Sequence, residues 1–388
     1  MRRTVEVELV RRTLDAVAAK RPDMHGEPRE LSVDRYLDPA RCQAEQAMLR
    51  EFPIAVGFAS QVAAPGAVLT HDLSGAPVLV TRDDEGTLRA FLNVCRHRGT
   101  RLEDAPCGQR KALVCPYHAW TYDLAGRLRG VPHRQGFPDL DLEARGLVPL
   151  AVGEYAGLVF VLPTPGRAPW SLQRFFAPLG DDLAAFADHV LYAPSTRPRA
   201  LNWKLMLDGS WETYHFRPTH AQTIYPLFID NVGVFDWAEP HLRMVLPKRS
   251  ITALAQAQEE TWRLRDHANV LYGLFPNTIV LCQPDHAMVV TAWPTSPTTS
   301  TLAAGMLIPE APRTDRARAH WDRNEEIFWT AIEEDLQMGE SIQRGLASGA
   351  NASILCGRYE HLIPRYHAAI DRALRGELRQ EHGYRDMS

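Results

Sequence analysis

Two short segments carry the most informative pattern of this chain: Asn93-Val94-Cys95-Arg96-His97-Arg98-Gly99-Thr100-Arg101-Leu102 and Cys115-Pro116-Tyr117-His118-Ala119-Trp120-Thr121-Tyr122-Asp123. Each offers one cysteine and one histidine, and four such side chains can hold one metal centre. A structural zinc site accepts the same ligand types, but His97 lies only two residues after Cys95, closer than zinc fingers usually place paired ligands. The alternative is a [2Fe–2S] cluster in which two thiolates hold one iron and two imidazoles hold the other.

The residues around these ligands indicate where they lie in the fold. Strand-like runs precede both segments, at 78–80 and 90–94 for the first and at 111–114 for the second. Loops at the ends of two hairpins would thus hold the cluster between them. Further short β-like runs broken by turns continue to about Leu162, so we predict a small all-β domain over residues 52–162.

The rest of the chain mixes helical and extended patterns. A linker is predicted at Pro163-Thr164-Pro165-Gly166-Arg167-Ala168-Pro169. After it, helix-like segments, among them one at 172–187 and a long one from Asp315, alternate with strand-like ones. This order predicts a larger α+β domain over residues 170–388, with helices packed on an antiparallel sheet. Residues 1–51 are predicted to be helical and to pack on the body, so the fold class is α+β.

A second constellation follows in the larger domain. Asp208, Glu212 and His215 recur at intervals of four and three residues, which predicts that they lie on one face of a helix. Pro218 is expected to end this helix, so that the chain folds back and aims His215 and His220 at one point. Two histidines with one carboxylate form the facial triad of non-haem Fe(II) sites, which leaves coordination positions open for oxygen.

The carboxylate ligand of this triad must come from far along the chain. The best candidates are Glu333, Glu334 and Asp335 in the long predicted helix. Helical periodicity selects Asp335, because its neighbours at three, four and seven residues form an apolar stripe. That stripe consists of Phe328, Ala331, Met338, Gly339 and Ile342. An acid buried there would need a cationic partner, and iron is one. Glu334 remains the second choice.

The quoted segments resemble the cluster-binding loops of Rieske non-haem iron oxygenases, the aromatic ring-hydroxylating oxygenase alpha subunit family, and residues 202–215 resemble its mononuclear-iron helix. The resemblance implies that Cys95, His97, Cys115 and His118 hold a Rieske [2Fe–2S] cluster. It implies that His215, His220 and Asp335 hold the mononuclear Fe(II). Glu212 would be the carboxylate that bridges toward the cluster.

Four positions depart from the usual family pattern. Glu212 stands where many ring-hydroxylating dioxygenases have aspartate, which is more similar to the branch that acts on choline, carnitine and betaine. Ala119 replaces a frequent glycine, and we expect a helical or extended backbone there. Asp208-Gly209 replaces a frequent Glu-Asn.

Near the cluster, Tyr117 or Trp120 is expected to donate a hydrogen bond to a cluster sulfur or to pack over the cluster.

The resemblance implies the terminal oxygenase component of a Rieske system, which hydroxylates a small organic substrate with O2 by mono- or dioxygenation. We favour an aromatic substrate, with oxidation or N-demethylation of a quaternary ammonium or N-methylated compound as the alternative. A non-catalytic Fe–S or zinc-binding module is an alternative of a different class. The sequence has no Gly-x-Gly-x-x-Gly fingerprint, so electrons from NAD(P)H are expected through a separate reductase, with or without a ferredoxin. The resemblance also implies a homotrimer.

The sequence is compatible with two arrangements of the substrate pocket. Candidate wall residues are apolar and mostly aromatic: Phe216, Leu227, Phe228, Trp237, Met244, Tyr272, Phe275 and Trp293. A cage of several rings would favour a quaternary ammonium ion. An inward-pointing Arg243 or Lys248 would instead favour an aromatic carboxylate.

Composition sets limits on partners and compartment. The 388 residues carry 43 basic and 47 acidic side chains, a net charge of −4 that gives no indication of nucleic-acid binding. We find neither a long apolar run nor a signal-peptide pattern, so we expect a soluble cytoplasmic protein. The cysteines outside the two motifs lack paired spacing and are expected to be reduced thiols. They are Cys42, Cys107, Cys282 and Cys356.

Overall fold

The computed structural model describes residues 1–167 and 170–378, so that Ala168 and Pro169 of the predicted linker lie outside the described residues. The chain divides into two compact units. Gln46–Phe175 forms one, here called the cluster unit because it carries the two Cys-His segments. Met1–Glu45 and the described residues from Phe176 onward form the other, called the triad unit.

The N-terminal segment contains helices and one strand. The helices are α1 (Arg3–Ala18), α2 (Asp34–Leu37) and α3 (Pro39–Leu49), and β1 spans Arg29–Ser32. Helix α1 is amphipathic, with buried side chains at intervals of three or four residues. Strand β1 was not predicted, because its antiparallel partner, Ser353–Cys356, lies more than three hundred residues along the chain.

The cluster unit is built on antiparallel strands. These are β2 (Ile54–Phe58), β3 (Ala67–His71), β4 (Val78–Arg82), β5 (Leu88–Leu92), β6 (Cys107–Gln109), β7 (Leu113–Val114), β8 (Thr121–Tyr122), β9 (Leu128–Gly130), β10 (Pro149–Tyr155) and β11 (Leu158–Leu162). Seven form one sheet in the order β2-β11-β10-β5-β4-β3-β6, and β7-β8-β9 form a second. The all-β character that the sequence predicted for this part of the chain is therefore present.

The triad unit contains a second seven-stranded antiparallel sheet, in the order β12-β18-β17-β16-β15-β14-β13. Its strands are β12 (Val190–Arg199), β13 (Val234–Ala238), β14 (His241–Pro247), β15 (Ala268–Leu274), β16 (Thr278–Cys282), β17 (Ala287–Ser296) and β18 (Thr299–Ile308), and β19 (Ser353–Cys356) pairs with β1. The helices of this unit that follow the N-terminal segment are α5 (Trp203–Ser210), α6 (Phe216–Thr219), α7 (Leu264–His267), α8 (Asp315–Ala347) and α9 (Leu362–Leu374), whereas α4 (Leu172–Phe175) lies at the end of the cluster unit. The predicted α+β class is confirmed.

The helix predicted over residues 172–187 is wrong. Only α4 is α-helical there, and short 3-10 turns follow at Ala177–Leu179 and Ala184–Phe186. Pro178 lacks an amide proton for a helical hydrogen bond, and Gly180 has a φ of +59°, so the α-helix cannot continue.

The long helix α8 is capped by Thr314, whose hydroxyl accepts a hydrogen bond from the amide of Ala317 at 3.2 Å. The apolar stripe predicted around Asp335 is only partly buried. Phe328 is buried, whereas Met338 and Ile342 are about half exposed. Within the described part of the chain, no helix is both long enough and apolar enough to cross a membrane.

Candidate metal centres

The two Cys-His segments of the cluster unit fold into loops with the same backbone pattern. The amide of Cys95 donates to the carbonyl of Thr100 at 2.7 Å, and the amide of Cys115 donates to that of Trp120 at 2.9 Å. The fifth residue of each loop returns a hydrogen bond to the cysteine carbonyl, from Gly99 at 3.0 Å and from Ala119 at 2.9 Å. The two loops therefore share one hydrogen-bonding pattern and carry the cysteine at the same position, whereas the histidine is the third residue of the first loop and the fourth residue of the second.

This pattern requires a left-handed residue at the fifth position of each loop. Gly99 has a φ of +83° and Ala119 has a φ of +54°. Our expectation of a helical or extended backbone at Ala119 was therefore wrong. A Cβ atom is disfavoured in this conformation, so Ala119 is held there by the loop's hydrogen bonds at a cost of about 1 kcal/mol.

The donors of these loops fit a [2Fe–2S] cluster with two cysteine and two histidine ligands. The side chains of Cys95 and Cys115 are both buried. The imidazole rings of His97 and His118 lie 4.6 Å apart, centre to centre. The Nδ1 atoms of both rings are buried and have no hydrogen-bond partner among the described residues. A buried, unpaired ring nitrogen is costly, so two of them beside two buried thiols indicate a ligand set.

Aromatic side chains surround this set, and the hydrogen-bond donor is a residue that we did not predict. Trp120 stacks on His97 with ring centres 4.7 Å apart, so it packs against a candidate cluster ligand. Tyr117 accepts a hydrogen bond from Arg98 at 3.1 Å. The hydroxyl of Tyr122 instead lies 3.5 Å from the sulfur of Cys95.

The orientation of the Tyr122 hydroxyl follows from its other contact. It accepts the backbone amide proton of Arg96 at 2.9 Å, which leaves its own proton for the Cys95 sulfur. The side chain of Tyr122 is fully buried. A fully buried tyrosine usually needs a hydrogen-bond partner, but the sequence gives no sign of which tyrosine will be buried.

In the triad unit, the single helix predicted to carry Asp208, Glu212 and His215 is wrong. Helix α5 ends at Ser210, and His215 caps the separate short helix α6. The carboxylate of Glu212 accepts hydrogen bonds from the backbone amides of Tyr214 and His215. A side chain that takes these amides competes with helical hydrogen bonding, so the chain turns between the two helices.

The role predicted for Pro218 is also wrong. It lies within the first turn of α6 and does not end a helix. Proline is tolerated in a first turn because its missing amide proton has no partner there. The turn at Glu212, together with α6, directs His215 and His220 toward the same point.

The structure brings the three predicted iron ligands together. Oδ1 of Asp335 lies 2.9 Å from Nε2 of His220 and 3.4 Å from Nε2 of His215. One donor atom from each residue can be chosen so that all three lie within 4.8 Å of one another. This set matches a facial triad of two imidazoles and one carboxylate.

A carboxylate holds the outer nitrogen of each triad histidine. Nδ1 of His215 is hydrogen-bonded to Glu212. Nδ1 of His220 lies 2.7 Å from Oε2 of Glu334, which also accepts from the hydroxyl of Thr223 at 2.6 Å. Glu334, our second choice as a ligand, therefore binds the outer nitrogen of His220 on the side away from Asp335. Such outer partners fix which ring nitrogen faces the metal.

Glu333 points away from the triad, because both its oxygens bind the guanidinium of Arg199. Asp335 itself is about a quarter exposed. It lies at the edge of the apolar stripe, so the predicted burial of this acid is only partial.

The carboxylates and histidines of the triad perturb one another. Burial lowers the pKa of His215, but hydrogen bonds with Asp335 and Glu212 outweigh it and raise the pKa to about 10. Burial raises the pKa of Asp335, but hydrogen bonds from both histidines hold it below its usual value. A metal ion at this point would therefore have to displace a proton from His215.

A cavity of about 590 Å³ opens onto Glu212, His215 and Asp335. Its other acidic lining residues are Asp208 and Glu360, and among its described lining residues none is lysine or arginine. The half-exposed Met338 and Ile342 of α8 also line it, which explains why part of the predicted stripe is not buried by protein. The cavity thus combines apolar walls with negative charge.

The predicted aromatic pocket walls do not line this cavity within the part of the chain that the structure describes. Phe216 and Phe228 nevertheless lie near the triad: the Phe216 ring is 5.2 Å from that of His215, and Phe228 is 5.9 Å from Phe216. Arg243 binds Asp182 at 2.6 Å and Asp236 at 2.7 Å. Its guanidinium is therefore already paired with protein carboxylates.

Buried polar contacts fix the helix that precedes the triad. Lys204 and Glu45 form a fully buried ion pair, and the indole of Trp203 donates to Glu45 at 2.9 Å. Asp208 accepts a hydrogen bond from Tyr36 at 2.7 Å. Removing one partner of a buried ion pair is strongly destabilising, so these contacts hold α5 in place.

Comparison with known families agrees with these two sites. Residues 52–144 match the Rieske [2Fe-2S] domain, and residues 181–376 match the ring hydroxylating alpha subunit (catalytic domain). The glycine betaine monooxygenase oxygenase subunit of Chromohalobacter salexigens is 37% identical over 216 residues, or 54% of this chain and 46% of that protein. This alignment therefore spans about half of the relative's length.

Longer matches cover most of the chain. The carnitine monooxygenase oxygenase subunit of Acinetobacter baumannii is 28% identical over 83% of this chain and 90% of its own. The crystal structure of a quaternary ammonium Rieske monooxygenase in complex with L-carnitine superposes with a TM-score of 0.75 at 23% identity. That match covers 93% of this chain and 97% of the other, and shows a shared fold. Since the catalytic-domain match alone covers half of the sequence, the chain belongs to the ring-hydroxylating alpha subunit family of Rieske non-haem iron oxygenases.

Proposed function

We propose that the protein is the terminal oxygenase component of a Rieske system and that its substrate is an N-methylated quaternary ammonium compound. One observation carries the proposal: His215, His220 and Asp335 converge at the edge of a cavity whose ionisable lining residues are otherwise acidic. The same geometry argues against the alternative of a non-catalytic module, because three protein ligands leave coordination positions open.

Each metal centre has a set of protein residues suited to it. Cys95, His97, Cys115 and His118 would hold the Rieske cluster, and His215, His220 and Asp335 would hold the mononuclear iron. When bound, these groups supply single-electron transfer and activation of O2. Glu212 and Glu334 orient the two imidazoles of the triad by holding their outer nitrogens.

The charge around the triad supports a cationic substrate. Asp208, Glu212 and Glu360 would attract an ammonium group into the cavity. Arg243, which would have favoured an aromatic carboxylate, is paired with Asp182 and Asp236. The named relatives act on glycine betaine and carnitine. These points support the N-methylated alternative over the aromatic substrate that the sequence favoured.

The proposed reaction inserts one oxygen atom into a C–H bond of an N-methyl group. The N-hydroxymethyl product then breaks its C–N bond to give formaldehyde and the amine with one methyl group fewer. The stoichiometry is R–N(CH3)3⁺ + O2 + 2e⁻ + 2H⁺ → R–N(CH3)2 + HCHO + H2O + H⁺. The two electrons would come from NAD(P)H through a separate reductase, with or without a ferredoxin.

The proposal includes a homotrimer in which the cluster of one subunit serves the iron of the next. Within it, Glu212 would bridge His215 to His118 of the neighbouring subunit. Tyr117, next to His118, is about half exposed, so this edge of the cluster site is open to a partner.

The test is oxygen uptake by the iron-loaded protein with a compatible reductase and NADH, in the presence of glycine betaine, L-carnitine, benzoate or chlorobenzene. We expect O2 consumption matched by formaldehyde with one of the N-methylated compounds and uncoupled, slow consumption with the aromatics. Formation of a dihydrodiol or phenol, without formaldehyde, would reject the proposed substrate class and leave the oxygenase assignment intact.

A further inference from the structure

A second group of two histidines and one carboxylate lies in the triad unit, outside the iron triad. Asp23 and His25 lie in the N-terminal segment, and His361 is the residue immediately before α9. Oδ1 of Asp23 lies 2.7 Å from Nε2 of His25 and 3.3 Å from Nε2 of His361. One donor atom from each residue lies within 4.8 Å of the others. Donor atoms of a tetrahedral zinc site are about 3.3 Å apart, so these separations are close to those of a metal site.

Hydrogen bonds hold Asp23 and His25 in place and join their segment to the one that carries His361. The second oxygen of Asp23 accepts from the amide of Phe235 at 2.9 Å. The amide of His25 donates to the carbonyl of Arg358 at 3.0 Å, and the guanidinium of Arg358 donates to the carbonyl of Gly26 at 2.9 Å. The segments that carry the side chains are therefore fixed to each other without a metal, which lowers the entropic cost of binding one.

The burial of the group suits an ion that enters from solvent. His361 is buried, Asp23 is mostly buried, and the side chain of His25 is 52% exposed. An ion held by the three would be covered by protein on the side of His361 and open to water on the side of His25. Three protein ligands with one open position are typical of zinc sites that keep a water molecule.

We propose that Asp23, His25 and His361 form a second metal site, which takes a divalent transition-metal ion, Zn²⁺ above all, and clamps residues 23–26 to residues 357–361. Imidazole with one carboxylate suits zinc better than Ca²⁺ or Mg²⁺, which prefer oxygen ligands. The clamped segment adjoins the iron triad, because Tyr359 packs on Tyr214 at 4.5 Å and Tyr214 precedes His215. Zinc would thus stabilise a segment that contacts the iron-binding turn.

This site should bind metal more weakly than the triad. Both triad histidines have carboxylates on their outer nitrogens, whereas Nδ1 of His361 is buried without a hydrogen-bond partner among the described residues. Loss of such an outer partner lowers metal affinity by about 10- to 100-fold. We therefore expect iron to fill the triad first and zinc to add at the second site.

The experiment measures metal content in the full-length protein with both iron centres loaded. The protein is incubated with ZnCl2, passed through a desalting column, and its zinc and iron are counted by mass spectrometry. Wild type is expected to gain one zinc per chain without losing iron, and His25→Ala to gain none. His320→Ala is the matched control, because His320 is 53% exposed and contacts a carboxylate, Asp285, as His25 contacts Asp23. It should retain the extra zinc.

A second readout tests the clamp itself. Hydrogen exchange of residues 23–26 and 357–361 should slow by about 100-fold when free zinc is about a hundred times its dissociation constant. This change should be absent in His25→Ala. The proposal is overturned if His25→Ala binds as much zinc as wild type, if each zinc gained is matched by an iron lost, or if His25→Ala and His320→Ala lose zinc equally.

Discussion

The imidazoles of the cluster loops and those of the triad have opposite surroundings. His97 and His118 have buried Nδ1 atoms without hydrogen-bond partners among the described residues, and they lie beside aromatic rings and buried thiols. His215 and His220 each have Nδ1 bound to a glutamate, and their Nε2 atoms face Asp335. The cluster set thus offers four donors, none of them a carboxylate, and is closed to further ligands. The triad offers three donors, is open to further ligands, and has carboxylates around it.

This difference matches two tasks. A closed set of four ligands holds a centre that exchanges electrons without binding substrate, and nearby hydrogen bonds tune its potential. An open set of three ligands leaves space for substrate and O2, and the outer carboxylates keep its histidines oriented while the open positions change. Substitutions at the two centres should therefore have different consequences.

Asp335→Ala should abolish turnover and deplete the mononuclear iron, because it removes one of the three proposed ligands. The cluster should keep its visible absorbance, since its ligands lie in other loops. Glu333→Ala is the matched control, because Glu333 is adjacent but binds Arg199. Iron per chain and oxygen uptake measure both variants. Greater damage from Glu333→Ala would show that the wrong carboxylate has been placed in the triad.

Cys95→Ala should also abolish turnover, but here the cluster is lost and the mononuclear iron is kept. The cluster absorbance should disappear while iron remains at the triad. The triad unit has its own sheet and core, so it should stay folded. Circular dichroism and iron content check this. Global unfolding of the variant would mean that the two units do not fold independently.

In protein loaded with excess iron, so that both metal centres are occupied, Glu212→Ala should reduce turnover to a small fraction of the wild-type rate. Glu212→Asp should be intermediate because its side chain is shorter by one methylene. Glu212 holds His215 and, in the proposed trimer, reaches the neighbouring cluster. Single-turnover oxidation of the pre-reduced cluster measures the electron path. A wild-type rate in Glu212→Ala would limit Glu212 to orienting His215.

Tyr122→Phe should leave cluster and turnover in place but lower the reduction potential of the cluster. The lost hydrogen bond to the Cys95 sulfur stabilises the more negatively charged reduced state by roughly 1 kcal/mol, or about 40 mV for one electron. Redox titration followed by electron paramagnetic resonance measures the shift. Tyr117→Phe is the control and should have no comparable effect, because Tyr117 contacts Arg98.

The two centres also differ in how far the sequence could predict them. Each cluster loop holds its cysteine and histidine within four residues, so local spacing was sufficient to find them. The triad joins residues 215, 220 and 335, and its geometry depends on a turn made by the side chain of Glu212. Helical periodicity could not foresee that turn. It also could not assign Glu334 to the outer side of His220, because that contact depends on tertiary packing.

The smallest effect concerns Ala119 and tests whether the two cluster loops are equivalent. Ala119→Gly removes the left-handed strain of about 1 kcal/mol, although the greater freedom of glycine in the unfolded chain offsets part of the gain. Gly99→Ala should destabilise the other loop by a similar amount, since no atom lies within 4 Å of the added Cβ and only backbone strain acts. The rate at which urea bleaches the cluster compares the variants: we expect slower bleaching in Ala119→Gly, faster bleaching in Gly99→Ala, and a rate near wild type in the double variant. Faster bleaching in Ala119→Gly would mean that the alanine methyl group contributes packing that outweighs its strain, and the two loops would then be alike in hydrogen bonding but not in energy.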